Sequence, residues 1–256
     1  MRFRTLYICI LLSLPSITYS QYWKTKRYML SGGICTMHYF GDIGGSVKKN
    51  NLFGLKDIDL RSTRFGFQIN AAYLVNTSIE TRIKFSSGYI SGNDRHSKNA
   101  ERGLSFISRF FELLAVPVFH LSKLFPGSSH HYNRKGHLSA LPTFSPYVTA
   151  GIGFLHFKPE TGPSYQVIKR MTSARKNEFD SHAHTILSLP LGIGFAYSLN
   201  NDYSFSAELT GRYLFNDYID GFASAFSSSN DICYSLSLSV IYKIRTSRRG
   251  LPVFRR

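Results

Sequence analysis

The sequence predicts an all-β protein: an eight-stranded antiparallel up-and-down transmembrane β-barrel preceded by a cleaved signal peptide. Three observations predict it. The N-terminus carries an export signal, eight later segments alternate apolar and small or polar residues with period two, and the connections between them alternate long and short. Composition agrees, because the 256 residues include 21 Phe, 16 Tyr and 1 Trp but only 18% charged residues. An ordinary globular domain has roughly a quarter charged. Such an aromatic-rich chain is not disordered, and three cysteines in this length are not the main framework of a disulfide-stapled fold.

Arg2 and Arg4 precede an apolar run from Leu6 to Ile17, and Thr18-Tyr19-Ser20 ends it with small residues at the third and first positions before Gln21. The run is well below the ~20 residues that span a bilayer as a helix. Cys9 follows Ile8 inside the run, where lipoprotein processing would need a small residue, so no lipid anchor is expected. The expected organisation is a signal peptide over 1–20, a periplasmic segment over 21–28, an outer-membrane barrel over 29–245 and a basic periplasmic tail over 246–256. Cleavage removes two positive charges and leaves 29 basic against 15 acidic residues. That surplus suggests nucleic acid or an anionic membrane. Export excludes cytosolic nucleic acid as a partner, and no helix-turn-helix, zinc-finger or RNA-binding motif is present.

The strand candidates follow in order. The first lies near 29–40. Near 64–75, Phe65, Phe67, Ile69, Ala71, Tyr73 and Val75 share one face, with Gln68 and Asn70 on the other. Near 78–90, Ile79, Thr81, Ile83, Phe85 and Tyr89 oppose Glu80, Arg82, Lys84, Ser86 and Gly88. The fourth, near 105–120, has the least secure register, because Arg109 and Glu112 fall on opposite faces and cannot both point inward without a bulge or an end effect. A fifth lies near 145–157. Near 186–198, Leu187 to Tyr197 at every second position oppose Ser188, Pro190, Gly192, Gly194 and Ala196. The last two, near 203–215 and 232–245, set Phe205, Leu209 and Tyr213 against Glu208, Thr210 and Arg212, and Leu236, Leu238 and Val240 against Ser235, Ser237, Ser239 and Lys243.

These segments are longer than the five or six residues of an average strand and suit a tilted membrane span. The connections near 41–62, 91–104, 158–183 and 216–231 are long, whereas Asn76-Thr77 and Asn200-Asn201-Asp202 are tight turns. Long outside and short inside is the outer-membrane pattern. The stretch near 121–143 breaks it and reads as an inserted basic periplasmic loop.

Eight strands enclose a space that side chains fill, so no open channel is expected. The inward faces carry Glu80, Arg82, Lys84, Glu112, Glu208, Arg212 and Lys243, whose mixed signs predict a paired lumen network, since unpaired buried charge is costly. Paired carboxylates are also a glycosidase feature, but lumen ion pairing accounts for them here. His182 with His184, and His130 with His131 and His137, lack flanking metal-ligand spacing, so no metal or other cofactor is expected. His184 and Ser188 share a strand and would have to serve as the base and nucleophile of a lipid or peptide hydrolase; pairs of this kind arise readily by chance, and no enzyme activity is expected. Gly151-Ile152-Gly153 and Gly192-Ile193-Gly194 sit inside strand patterns, where inward glycines let a strand bend or bulky residues approach. Barrel closure makes the first and last strands neighbours, which leaves two readings for Cys35 and Cys233: a disulfide across the seam, or two free buried thiols.

Several segments, in order, carry a resemblance: Tyr39-Phe40-Gly41-Asp42-Ile43; Gly103-Leu104-Ser105-Phe106 with Glu112-Leu113; Phe144-Ser145-Pro146-Tyr147-Val148 into Ala150-Gly151-Ile152-Gly153; Phe157-Lys158-Pro159; Leu189 to Gly194; Asp217-Tyr218-Ile219-Asp220-Gly221; and Tyr242-Lys243-Ile244. Together they resemble the PorG-type (DUF6089-like) outer-membrane barrels of the Bacteroidetes type IX secretion system, over about residues 29–245. The chain departs from that pattern in the basic insertion near 121–143 and in its tail, where Arg245 to Arg256 displace a terminal aromatic. The resemblance implies a non-enzymatic barrel that anchors or contacts periplasmic ring subunits. Asp42, Asp217 and Asp220 would then lie at the outer strand ends, as rim and turn residues or as partner contacts.

On this topology Lys24, Lys26, Arg27, Lys123, Arg134, Lys135, Arg245, Arg248, Arg249, Arg255 and Arg256 all face the periplasm. Lys123, Arg134, Lys135, Arg248, Arg249, Arg255 and Arg256 are the expected contacts for an acidic partner. Lys48, Lys49, Arg95, Lys98, Lys169, Arg170, Arg175 and Lys176 fall in outer loops, near the anionic lipid surface.

Overall fold

The computed structural model describes residues 25–40, 43, 62–94, 101, 103–121, 143–162, 180–216, 218–221, 231–247 and 250–253. The strands are β1 (Tyr28–Phe40), β2 (Arg64–Leu74), β3 (Ile79–Asn93), β4 (Ser105–His120), β5 (Thr143–Ala150), β6 (Ile152–Thr161), β7 (His184–Ser198), β8 (Tyr203–Leu214), β9 (Ile232–Thr246) and β10 (Pro252–Val253). Every pairing is antiparallel and each stave joins its neighbour in chain order. The ring closes where β1 meets β9, from Tyr28 opposite Ile244 to Phe40 opposite Ile232. Closure leaves no open edge in the ring, as backbone groups in hydrocarbon require.

β5 and β6 are the two halves of one stave, so the ring has eight staves. The sequence reads this stave as a single strand near 145–157; the structure interrupts it at Gly151, whose N–H donates to the Pro190 carbonyl at 3.0 Å. A Cβ at Gly151 would lie 2.5 Å from the Ala115 carbonyl oxygen, so the close approach to β4 requires glycine. β10 is a second departure. Part of the basic tail returns to pair with β9, Pro252 opposite Thr246, around Gly250 at a φ of 81°.

The two tight turns are built alike. Asn76 Oδ1 accepts from the Ser78 and Ile79 N–H groups, and Asn200 Oδ1 from those of Asp202 and Tyr203. These side chains satisfy donors that the ladder leaves over. Lys26 ties the entering chain to the second turn, donating to the Asn201 carbonyl and pairing with Asp202 at 2.5 Å. Lys26, one of the basic residues expected to face the periplasm, is therefore matched by an acid of this turn.

Alternation places Ile34, Phe67, Ile69, Ile83, Phe85, Leu113, Ile152, Phe154, Leu191, Ile193, Leu209 and Leu238 on the outside, all exposed. Large apolar side chains covering the outer wall of a closed barrel form a lipid-facing belt. Near its periplasmic edge stand Phe119, Phe144, Tyr197, Tyr203 and Tyr242, also exposed, in an aromatic girdle. Phe144 stacks on Phe195 with centroids 5.1 Å apart, and Tyr203 meets Tyr242 at 5.3 Å. β4 resolves the question of register without a bulge: even-numbered residues from Phe106 to Val118 are buried, and Arg109 faces outward.

Candidate functional site

The inside of the barrel is the best-defined polar site. β3 turns Glu80, Arg82 and Lys84 inward at successive even positions, β8 supplies Glu208, Thr210 and Arg212, and β4 supplies Glu112; all are buried. Arg82 bridges two carboxylates, with Nη2 2.9 Å from Glu80 Oε1 and Nη1 2.9 Å from Glu208 Oε2 across the lumen. Lys84 Nζ reaches Glu208 Oε1 at 2.6 Å. Glu208 also accepts from Thr210 Oγ1 at 3.0 Å and the Tyr147 hydroxyl at 3.1 Å. Deeper in, Arg212 Nε forks onto Glu112 at 2.7 and 3.0 Å and its Nη1 donates to Ser235 at 2.6 Å. Ser86 donates to Glu112 at 2.9 Å. Three carboxylates thus meet three cations, each held by charge-assisted hydrogen bonds.

Lys243 stands apart from this network. It lies nearer the periplasmic mouth, donating to Ser198 Oγ at 3.1 Å, because β9 places it below the level of Glu208. At the same mouth His120 Nε2 lies 3.0 Å from Glu80 Oε2, on the open side of the network. His120 and Tyr147 are members that the sequence reading did not assign; inward parity would have selected Tyr147. Gly194 makes room for Tyr147, since a Cβ there would lie 2.5 Å from its ring.

Above the charges the lumen changes character. Met37, Ile90, Phe106, Phe110, Leu155, Phe157, Ile186, Leu214, Ile219 and Cys233 form a buried apolar cluster with Tyr39 packed against it. Over that cluster, the Tyr39 hydroxyl donates toward Asp220 Oδ2 at 2.6 Å and Asp231 Oδ1 at 3.0 Å. Asp220 thus lies in a turn, as expected, and is buried there. The polar network occupies one part of the interior and the apolar cluster the part above it.

Cys35 and Cys233 are both free and buried. Cys35 sits opposite Ser237 and Cys233 opposite Tyr39, four residues apart along the seam. At ~3.4 Å per residue that offset is roughly 14 Å, beyond the ~7 Å limit for bridging Cα atoms. Of the two readings left open by the sequence, the structure has the two free buried thiols and not the disulfide. Mass spectrometry after alkylation is expected to show both cysteines labelled in denaturant without reductant and neither in the folded barrel. A Cys35–Cys233 peptide pair that resists alkylation and is released only by reductant would contradict the structure.

At the outer rim Asp180 accepts from His182 Nδ1 at 2.6 Å and lies 2.9 Å from His184 Nε2. The His182 backbone N–H, 2.9 Å from Oδ1, holds the Asp180 carboxyl below the usual carboxylate range. His184 is thereby engaged with Asp180 and stacked near Phe157 and Tyr218, while Ser188 is buried and donates toward Glu112 at 3.4 Å. The structure does not bring that His–Ser pair together as base and nucleophile. No group of metal-ligand type occurs among the described residues. His130, His131, His137, Asp42 and Asp217 lie outside the described residues, as do the proposed partner contacts Lys123, Arg134, Lys135, Arg248, Arg249, Arg255 and Arg256, and residues 1–20.

No family model matches the chain, and no curated protein does. Solved structures do. The chain is similar to Ail, the attachment invasion locus protein of Yersinia pestis, with 14% identity, covering 85% of this chain and 98% of that one at a TM-score of 0.44. It is similar to Neisserial surface protein A, with 10% identity over 84% and 96% of the two chains and a TM-score of 0.44. It is also similar to the N-terminal β-barrel domain of Pseudomonas aeruginosa OprF, with 10% identity over 85% and 98% and a TM-score of 0.42. This chain's own closure, outward apolar belt and aromatic girdle are those of a bacterial outer-membrane barrel, and the outer membrane is its location.

Proposed function

We propose that this barrel is a non-enzymatic membrane anchor within a protein secretion machinery of the type IX class, contacting periplasmic ring subunits through its basic loop and tail. The observation that carries the first half is the buried ion-pair network and apolar cluster inside an eight-stave barrel, whose interior is about wide enough for its own side chains, which makes the barrel wall and its two rims the working surfaces. The type IX assignment rests on the ordered motifs from Tyr39 to Ile244. The partner surface rests on charge, since Lys123, Arg134, Lys135, Arg248, Arg249, Arg255 and Arg256 fall in segments without Asp or Glu.

Deletion with affinity purification from membranes tests this. Loss of type IX cargo secretion and recovery of ring subunits with the tagged barrel are expected. Normal secretion without the protein, with no ring subunit recovered, would leave a stand-alone tethering or adhesive barrel instead. Reversing Arg248, Arg249, Arg255 and Arg256 to Glu is expected to reduce partner recovery at physiological salt; unchanged recovery would remove the basic tail from the interface.

A further inference from the structure

We propose that Arg109 and Lys158, side by side on the outer wall, form a binding site for the phosphate groups of the outer-leaflet glycolipid. β4 and β6 place the two residues directly opposite each other, both exposed, while Phe110 and Phe157 at the same level turn inward and are buried. Like charges directly opposite on an antiparallel pair repel. Among the described residues, no ion pair relieves either one. Glu160, the next outward position on β6, pairs with Ile107 in register and makes no salt bridge to Arg109 or Lys158. A barrel wall that sets two uncompensated cations together is complementary to an anion between them.

Their height identifies the anion. Below Arg109 the outward residues of β4 are Phe111, Leu113, Ala115, Pro117 and Phe119, and below Lys158 those of β6 are His156, Phe154 and Ile152; Ile107 and Glu160 are the outward pair above, so the cations lie near the upper margin of the apolar belt. From Phe119 to Arg109 at ~3.4 Å per residue and ~40° tilt is roughly 26 Å, about the height of an outer-membrane apolar band. The connections at that end are the long ones, which makes it the outer leaflet, where the anionic lipid is a phosphorylated glycolipid. Arg109 is also held against the wall: its guanidinium lies 4.8 Å from the Phe111 ring centroid, leaving its fork for bidentate phosphate contact. Tyr89 flanks it on β3 and is exposed. The site thus combines a forked donor, a point charge and an aromatic neighbour on rigid strands.

The test uses the full mature chain purified in detergent, incubated with lipid A and read by native mass spectrometry. Wild-type barrel is expected to retain lipid A, the R109Q/K158Q double variant to retain about tenfold less, and the charge-preserving R109K/K158R variant to retain most of it. Dephosphorylated lipid A is expected not to be retained by wild type, and phosphatidylglycerol not to displace the intact lipid at equal concentration. Equal retention by the double variant, or equal binding of the dephosphorylated lipid, would overturn the proposal; displacement by phosphatidylglycerol would overturn the glycolipid assignment. Should the double variant not fold, shown by loss of its heat-dependent gel shift, the two lipid comparisons on wild type still decide.

Discussion

Replacing Gly33 by valine is expected to stop the barrel from closing. Gly33 lies in β1 opposite Ser239 of β9, and a Cβ there would sit 2.0 Å from the Leu238 carbonyl oxygen and 2.6 Å from both the Cα and the hydroxyl of Ser239. Two of those atoms are backbone, so no rotamer change makes space. The seam must open, exposing ladder groups to hydrocarbon, at a cost of about 4 kcal/mol or more. The measurement is the heat-dependent gel shift of the refolded protein, which Gly33→Val should abolish. Gly32 is the matched control, because its Cβ would meet only the Gln68 carbonyl oxygen at 3.9 Å, and Gly32→Ala should fold. A normally folded Gly33→Val barrel would contradict the seam register.

Glu208→Ala should have the next largest effect. This carboxylate receives Arg82, Lys84, Thr210 and Tyr147, and its loss leaves Lys84 without its anion inside the lumen. Breaking a buried pair from one side costs about 3–5 kcal/mol, whereas replacing both partners by apolar residues of similar volume is often near neutral. Urea unfolding in micelles should therefore show a large loss for Glu208→Ala and a much smaller one for the Lys84→Met/Glu208→Met double variant. Arg82 keeps Glu80 in that double variant. Equal losses in the single and double variants would mean that the network contributes packing alone.

Period two separated Phe67 and Ile69 from Gln68 and Asn70, and Ile83 and Phe85 from Arg82 and Lys84, because a barrel wall has lipid on one side and lumen on the other. The strands therefore begin and end close to where the alternation does. The interruption at Gly151 was not legible: whether a glycine bends a strand depends on how near the neighbouring backbone passes, here the Ala115 carbonyl. Cys35 and Cys233 illustrate the same limit, since strand adjacency follows from closure, while the four-residue offset follows from the shear between β1 and β9.

The sequence by itself determined an eight-stave barrel, its lipid-facing face and the charged composition of its lumen, because each is a pattern within single strands. Tertiary structure alone decided which charges meet. Arg82 bridging Glu80 and Glu208, Arg212 on Glu112, Lys243 apart from all three carboxylates, and Arg109 beside Lys158 on the wall depend on inter-strand register and on distances across the lumen. Period-two alternation specifies which side of the wall a residue occupies and carries no information about its height against the other staves; ring closure supplies that height.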